Sequence, residues 1–214
     1  MKKIFKIMSV CMAIAMVVLT FASCGGTKST IEGKTGTELI KCMEVSANGK
    51  IIKVPFKIKD LESLGFKLAT GKSSDVKVEK GGLSSGNVVF KNNSGDMIVA
   101  LARNNTDKET TLPNCDAFNV STTSNKVSIN GITPDTSTYE DVLAKLGKDI
   151  EERADKFEDE IKRLKGDSDN EYIMLSLSYS VPVSDENNKT IIYSMNIDVD
   201  EQTGKVRNVS IQQA

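Results

Sequence analysis

Histidine is absent from all 214 residues of this chain. That excludes every Ser-His-Asp and Cys-His nucleophile and every histidine-ligated metal site. Tryptophan is absent too, and aromatic residues make up only 5% of the chain, so stacking on sugar rings or aromatic ligands finds little support. Neither sign of charge dominates: 28 basic residues stand against 29 acidic ones. Nucleic-acid binding, which needs a basic footprint, is therefore not expected. One long apolar run occurs, and it is shorter than the ~20 residues that a spanning helix needs.

That run belongs to the N-terminus. Lys2, Lys3 and Lys6 make a basic start, and Ile7 to Ala22 is apolar except for Ser9 and Thr20. Phe21-Ala22-Ser23-Cys24 then brings small residues up to a cysteine. A charged region, an apolar region and a small-residue cleavage site form a secretory signal. The closing cysteine makes it resemble a bacterial lipobox. The resemblance implies a signal peptide over residues 1–23 and acylation of Cys24, which becomes the mature N-terminus. The chain would then be lipid-anchored on the extracytoplasmic side of the cell membrane. Without the three signal lysines the mature protein holds 25 basic and 29 acidic residues, a mildly acidic surface.

Four cysteines occur. Cys11 leaves with the signal and Cys24 takes the lipid, so Cys42 and Cys115 remain. Outside the cytoplasm they are able to form a disulfide. The alternative is two buried thiols, since free cysteine packs as a small hydrophobe.

Residues 24–37, rich in Gly, Ser, Thr and Lys, read as a flexible tether spanning roughly 20 Å. Two small α+β modules are expected after it, over 38–122 and 126–214. In the first, Ile51 to Val54 signals a strand. Ile58, Leu61 and Leu64 mark a short helix closed by Gly65. Val88-Val89-Phe90 and Met97 to Ala102 flank Asn92-Asn93-Ser94-Gly95 as a β-hairpin, and Asp116 to Ser121 offers another strand. In the second, Val127 and Ile129 lead in. Tyr139, Val142, Leu143 and Leu146 share a helix face, entered through a capping box from Ser137 with Glu140 or Thr138 with Asp141. Ile150, Ala154, Phe157, Ile161 and Leu164 step by four and three and predict a second helix. Three strands with period two come next: Ile173 to Val181, Ile191 to Val199, and a last one at Val209 and Ile211. The expected fold of this module is α-α-β-β-β, two helices packed on an antiparallel sheet of three to four strands.

Catalytic patterns occur only as short strings. Gly82-Leu83-Ser84-Ser85-Gly86 fits G-x-S-x-G, but the elbow needs a strand before it, a helix after it and a histidine elsewhere. Ser74 to Lys77, Ser168-Asp169-Asn170 and Lys34-Thr35-Gly36 mimic β-lactamase elements in the wrong order. Gly65 and Gly71-Lys72-Ser73 miss the P-loop spacing by one residue. Asp167, Asp169 and Glu171 begin like a calcium loop, but Tyr172 replaces its glycine and Ser178 its bidentate glutamate. Asp198, Asp200 and Glu201 before Thr203-Gly204 read as a hairpin turn. No metal or cofactor is expected.

Gly131-Ile132-Thr133, Thr138 to Val142 and Leu146-Gly147 resemble the SmpA/OmlA outer-membrane-assembly lipoprotein module, also called the β-lactamase-inhibitor-protein-like fold. Val54-Pro55-Phe56 and Asp60 to Phe66 resemble the first half of Gram-positive extracytoplasmic lipoproteins that pair two such modules. Relatives of this kind bind proteins as scaffolds or inhibitors. The resemblance implies a non-enzymatic, membrane-anchored module that binds a protein or a cell-wall partner. A small carboxylate-dependent hydrolase, which needs only two carboxylates at a defined distance, and a small-solute receptor are the alternatives.

Overall fold

The computed structural model describes residues 28–147, 150–157, 172–184 and 188–214. It is mostly β-structure, and all described strand pairs are antiparallel. In chain order the elements begin with helix α1 (Gly36–Ile40), β1 (Glu44–Ala47), β2 (Lys50–Lys53) and β3 (Phe56–Lys57). A 3-10 helix (Ile58–Leu64), β4 (Lys67–Leu68), β5 (Lys77–Val78), β6 (Val88–Lys91), β7 (Met97–Arg103) and β8 (Thr110–Thr111) come after them. The chain continues through β9 (Asp116–Thr122), β10 (Val127–Ile129), α2 (Tyr139–Leu146) and β11 (Glu151–Phe157), and ends with β12 (Tyr172–Ser184), β13 (Thr190–Asp200) and β14 (Val206–Gln213).

Most elements follow from local chemistry. Ile58, Leu61 and Leu64 are all buried, and their spacing of three is the period of a 3-10 turn rather than of an α-helix. Gly65 ends it at φ +88°, a left-handed position that glycine adopts without strain. The hairpin joining β6 to β7 closes on Asn92, whose Oδ1 accepts from the backbone N–H of Ser94 and of Asp96, both at 2.9 Å. Helix α2 starts on the Thr138–Asp141 capping box: Asp141 N–H donates to Thr138 Oγ1 at 3.2 Å, and Thr138 N–H to Asp141 Oδ2 at 2.9 Å. Ser137 is not the cap; its hydroxyl accepts from Thr133 N–H at 3.0 Å.

The expected α+β architecture is overturned. One sheet of nine strands dominates, ordered β11-β12-β13-β14-β9-β7-β6-β4, with β3 also on β9. Where two helices were expected on the C-terminal sheet, only α2 is found among the described residues. The predicted helix from Ile150 is a strand over Glu151–Phe157, paired with β12 from Glu151↔Ser178 to Phe157↔Tyr172. The reason is non-local. β12 is 13 residues long and β13 covers one of its edges; β11 supplies backbone partners along the other. Helical spacing is a weak prior against seven paired residues. Ile161 and Leu164 lie outside the described residues.

Two separate modules are not what the pairing builds either. β14 lies on β9, from Val209↔Thr122 to Gln212↔Asn119, and β10 lies on β1, with Val45↔Ile129. A single apolar cluster includes Leu39, Phe66, Ile98 and Val120 from the first half with Val142, Leu177, Ile197 and Val209 from the second. Asn130 fastens the halves. It is wholly buried, in a left-handed conformation at φ 47°. Its Oδ1 accepts from Glu44 N–H at 2.8 Å, and its Nδ2 donates to the Leu39 carbonyl at 3.0 Å.

Candidate functional site

Cys24 and the segment before it lie outside the described residues, so the site is built from the folded body that begins a few residues later. Among the described residues no helix is long and apolar enough to cross a membrane. The expected tether through residue 37 is corrected: the chain is fastened from Ser29 onward. Ser29 Oγ donates to Glu44 Oε2 at 2.9 Å, and both the N–H and the hydroxyl of Thr30 donate to Glu44 Oε1 at 2.6 Å. Glu44 is only 3% exposed on β1. A buried carboxylate is costly unless it is hydrogen-bonded, and here the N-terminal strap supplies three donors. Lys53 stands 3.8 Å from the same carboxylate and donates to Thr30 Oγ1 at 3.0 Å.

Of the two alternatives for Cys42 and Cys115, a disulfide or two buried thiols, the structure has the second: both are free and buried. Cys42 Sγ lies beneath the strap, 3.5 Å from the Thr30 carbonyl and 3.5 Å from Lys34 Nζ. Cys115 Sγ faces the Thr111 carbonyl at 3.7 Å. Burial pushes the Cys115 thiol above its usual range, so it is a poor nucleophile. The two thiols fill separate parts of the core, which is the packing alternative.

The catalytic strings do not assemble into sites. Ser84 is buried, donates to the Gly86 carbonyl at 2.9 Å and accepts from Ala102 N–H at 3.2 Å. It pins a loop to β7 rather than standing on an elbow. Ser74 sits in a 3-10 turn, and Lys77 pairs with Glu109 at 2.8 Å near the β5–β8 pair, which raises the Lys77 pKa. Residues 167–171 lie outside the described region. Among the described residues no group of acidic or thiol side chains is arranged to hold a metal. Asp200 is the hairpin-turn residue expected between β13 and β14. It accepts from Gln202 N–H at 2.9 Å and from Thr203 N–H at 3.2 Å, and Arg207 Nη2 reaches it at 2.7 Å. Asn104 is fully buried and donates to the Val78, Glu79 and Lys108 carbonyls, so it is a structural clamp.

A concavity of about 250 Å³ opens between the Gly95–Met97 and Thr123–Asn125 segments, with Asp135 at its side. It brings two carboxylates to one place. Asp96 is held below the ordinary carboxylate range, first by the Ser124 hydroxyl at 2.7 Å and then by the Asn92 amide at 2.8 Å. Asp135 is paired with Arg207. Glycoside hydrolysis needs one carboxyl held protonated as the acid, and Asp96 is shifted the other way.

The broadest feature is the wet face of the large sheet. Ser176 Oγ donates to Asp198 at 2.8 Å, Ser178 Oγ to Asn196 Oδ1 at 2.6 Å, and Ser180 lies 3.1 Å from Ser194. Asn208 Nδ2 donates to Asp198 at 2.9 Å, and Asn119 Nδ2 to Gln212 at 3.1 Å. Register continues one row as Ser178–Asn196–Ser210–Ser121 across four strands. The result is a preordered platform of hydroxyls and amides around Asp198, and register carries its rows on to Glu151 and Arg153 of β11. The alternation of Ser176, Ser178 and Ser180 was legible in the sequence. Their cross-strand partners, 14 to 22 residues away, were not.

Comparison with protein-family models, with curated proteins and with solved structures finds no match. The second helix that the expected SmpA/OmlA resemblance implied is replaced over Glu151–Phe157 by β11.

Proposed function

We propose that this chain is a membrane-anchored, non-enzymatic binding module of the cell envelope. It is held on the extracytoplasmic side by the acyl group on Cys24 and presents the wet face of its large sheet to a protein or cell-wall partner. The observation that carries this reading is the serine–asparagine ladder. Its side chains are fixed by one another before any ligand arrives, which lowers the ordering cost of binding. A surface of hydroxyl and amide donors and acceptors suits a partner rich in amides or hydroxyls, and the sparse aromatics do not favour ring stacking. The carboxylate-hydrolase alternative needs a carboxyl held protonated, and Asp96 in the concavity is shifted the other way.

The test combines two measurements. Mass spectrometry of the membrane fraction should find the mature N-terminal peptide beginning at an acylated Cys24; an unmodified N-terminus refutes the anchor. Cross-linked cells carrying the native chain or Ser178→Arg/Ser210→Arg then report on the face. The double variant should fold normally and lose partners that the native chain captures. An identical set of captured partners would sink the platform reading.

A further inference from the structure

Charge is unevenly divided along this chain. Residues 28–53 hold five lysines and three glutamates, whereas residues 54–214 hold 20 basic and 26 acidic side chains. The fold then adds a lysine from far away to the basic stretch. Ile31 Cδ1 and Lys145 Nζ both crowd Gly131, lying 2.9 and 3.2 Å from where a Cβ would sit. Lys34 Nζ lies 3.5 Å from Cys42 Sγ, itself 3.5 Å from the Thr30 carbonyl. Lys28 directly precedes the fastened Ser29. Lys28, Lys34 and Lys145 thus gather around the strap, and none makes an ion pair with a described residue. The acids of the same stretch are mostly spent. Glu44 is buried and shared with Lys53, and Glu38 pairs with Lys41 at 3.5 Å. Of the three glutamates in residues 28–53, that leaves Glu32 to oppose the three lysines.

Only five peptide steps separate Cys24 from Ser29, a reach of at most about 18 Å. A lipid on Cys24 would therefore hold the strap within one or two Debye lengths of a bilayer surface. Lysines so placed are attracted to anionic headgroups, and the attraction falls off over that same length. We propose, on the basis that Cys24 is acylated, that the strap end of the molecule docks on anionic phospholipid headgroups through Lys28, Lys34 and Lys145. The acidic remainder is repelled by the same surface and faces away from it. The basic cluster is absent from the linear sequence, because Lys145 joins it only through the turn at Gly131.

The acylated mature chain, reconstituted in phosphatidylglycerol or phosphatidylcholine vesicles, tests this by amine-reactive labelling read out residue by residue. Lys28, Lys34 and Lys145 should be protected in phosphatidylglycerol relative to Lys91 and Lys205. The protection should vanish in 1 M salt and be missing in phosphatidylcholine. Lys34→Gln and Lys145→Gln should each lower it about fivefold with an unchanged thermal midpoint. Equal labelling in the two vesicles, or protection that survives high salt, overturns the docking while leaving the anchor intact. An N-terminal peptide without acyl mass, in a protein that stays off both vesicles, overturns the anchor and the docking together.

Discussion

Two buried carboxylates mark opposite kinds of construction in this molecule. Asp200, 1% exposed, is satisfied from within its own hairpin, by Gln202, Thr203 and Arg207. Glu44, 3% exposed, is satisfied by Ser29 and Thr30, which arrive from 15 and 14 residues earlier with no regular structure of their own. The first is a local solution, written into a turn that joins two strands. The second ties a loose-looking segment onto the body and so decides how long the connection to Cys24 can be. Removing the first should disturb the sheet; removing the second should release the strap and spare the sheet.

Several variants sharpen that contrast, and the largest effect belongs to the residue that links the Glu44 region to the second half. Asn130→Ala strips partners from Glu44 N–H and the Leu39 carbonyl, all buried, and should cost about 3 kcal/mol in denaturant unfolding. Asp200→Ala takes one of two carboxylate partners from Arg207, which keeps Asp135, and removes the acceptor of two turn N–H groups; it should cost about 2 kcal/mol, discounted because Arg207 is one-third exposed. The loss should appear as global unfolding, seen by hydrogen exchange across β13 and β14. Glu44→Ala should cost about 1 kcal/mol globally but expose residues 28–34 to protease and fast exchange. Global destabilisation equal to that of Asp200→Ala, with the strap still protected, would erase the distinction between the two carboxylates. Gly131→Ala should also cost about 1 kcal/mol or more, since φ is +74° and the new Cβ would lie 2.9 Å from Ile31 Cδ1.

Asp96 provides the smallest effect and a solvated control. Its pKa is lowered by folding, so its contribution is complete above the ordinary carboxylate pKa. It is lost as pH falls through and below that range. Asp96→Asn should remove this part of the acid dependence and leave stability at neutral pH nearly unchanged. An identical acid limb in the native chain and the variant would show that the Ser124 and Asn92 contacts contribute nothing.

How much was legible depends on how far each interaction reaches. Thr138 and Asp141 cap α2 across three residues. Asn92 closes its own hairpin, and Gly65 ends a turn whose apolar spacing is three. The period of two in β12, β13 and β14 was equally plain. The segment from Ile150 misled because Ile150, Ala154 and Phe157 fall at helical spacing, whereas strand alternation would put Glu151, Arg153, Asp155 and Phe157 together. Nothing in that window indicates that β12 has an open edge awaiting a partner. Nor does the composition of residues 24–37 indicate that Glu44 is buried and lacks donors until Ser29 and Thr30 arrive. The sheet's wet face was half visible: the serines of β12 were there to read, the asparagines opposite them were not assigned to them.

By itself the sequence determined the residue pattern before Cys24 from which a lipid anchor is proposed, the absence of histidine chemistry, and the elements whose hydrogen bonds close within a few residues. These follow from side-chain inventory and from short-range backbone geometry. Only the tertiary structure decided that β14 lies on β9 and β10 on β1, that Cys42 and Cys115 stay apart, and that residues 29–37 belong to the fold. It also decided that Lys145 stands beside Ile31. Such choices rest on burial and pairing between residues far apart in the chain, where each buried polar group must find a partner and no local pattern says which one.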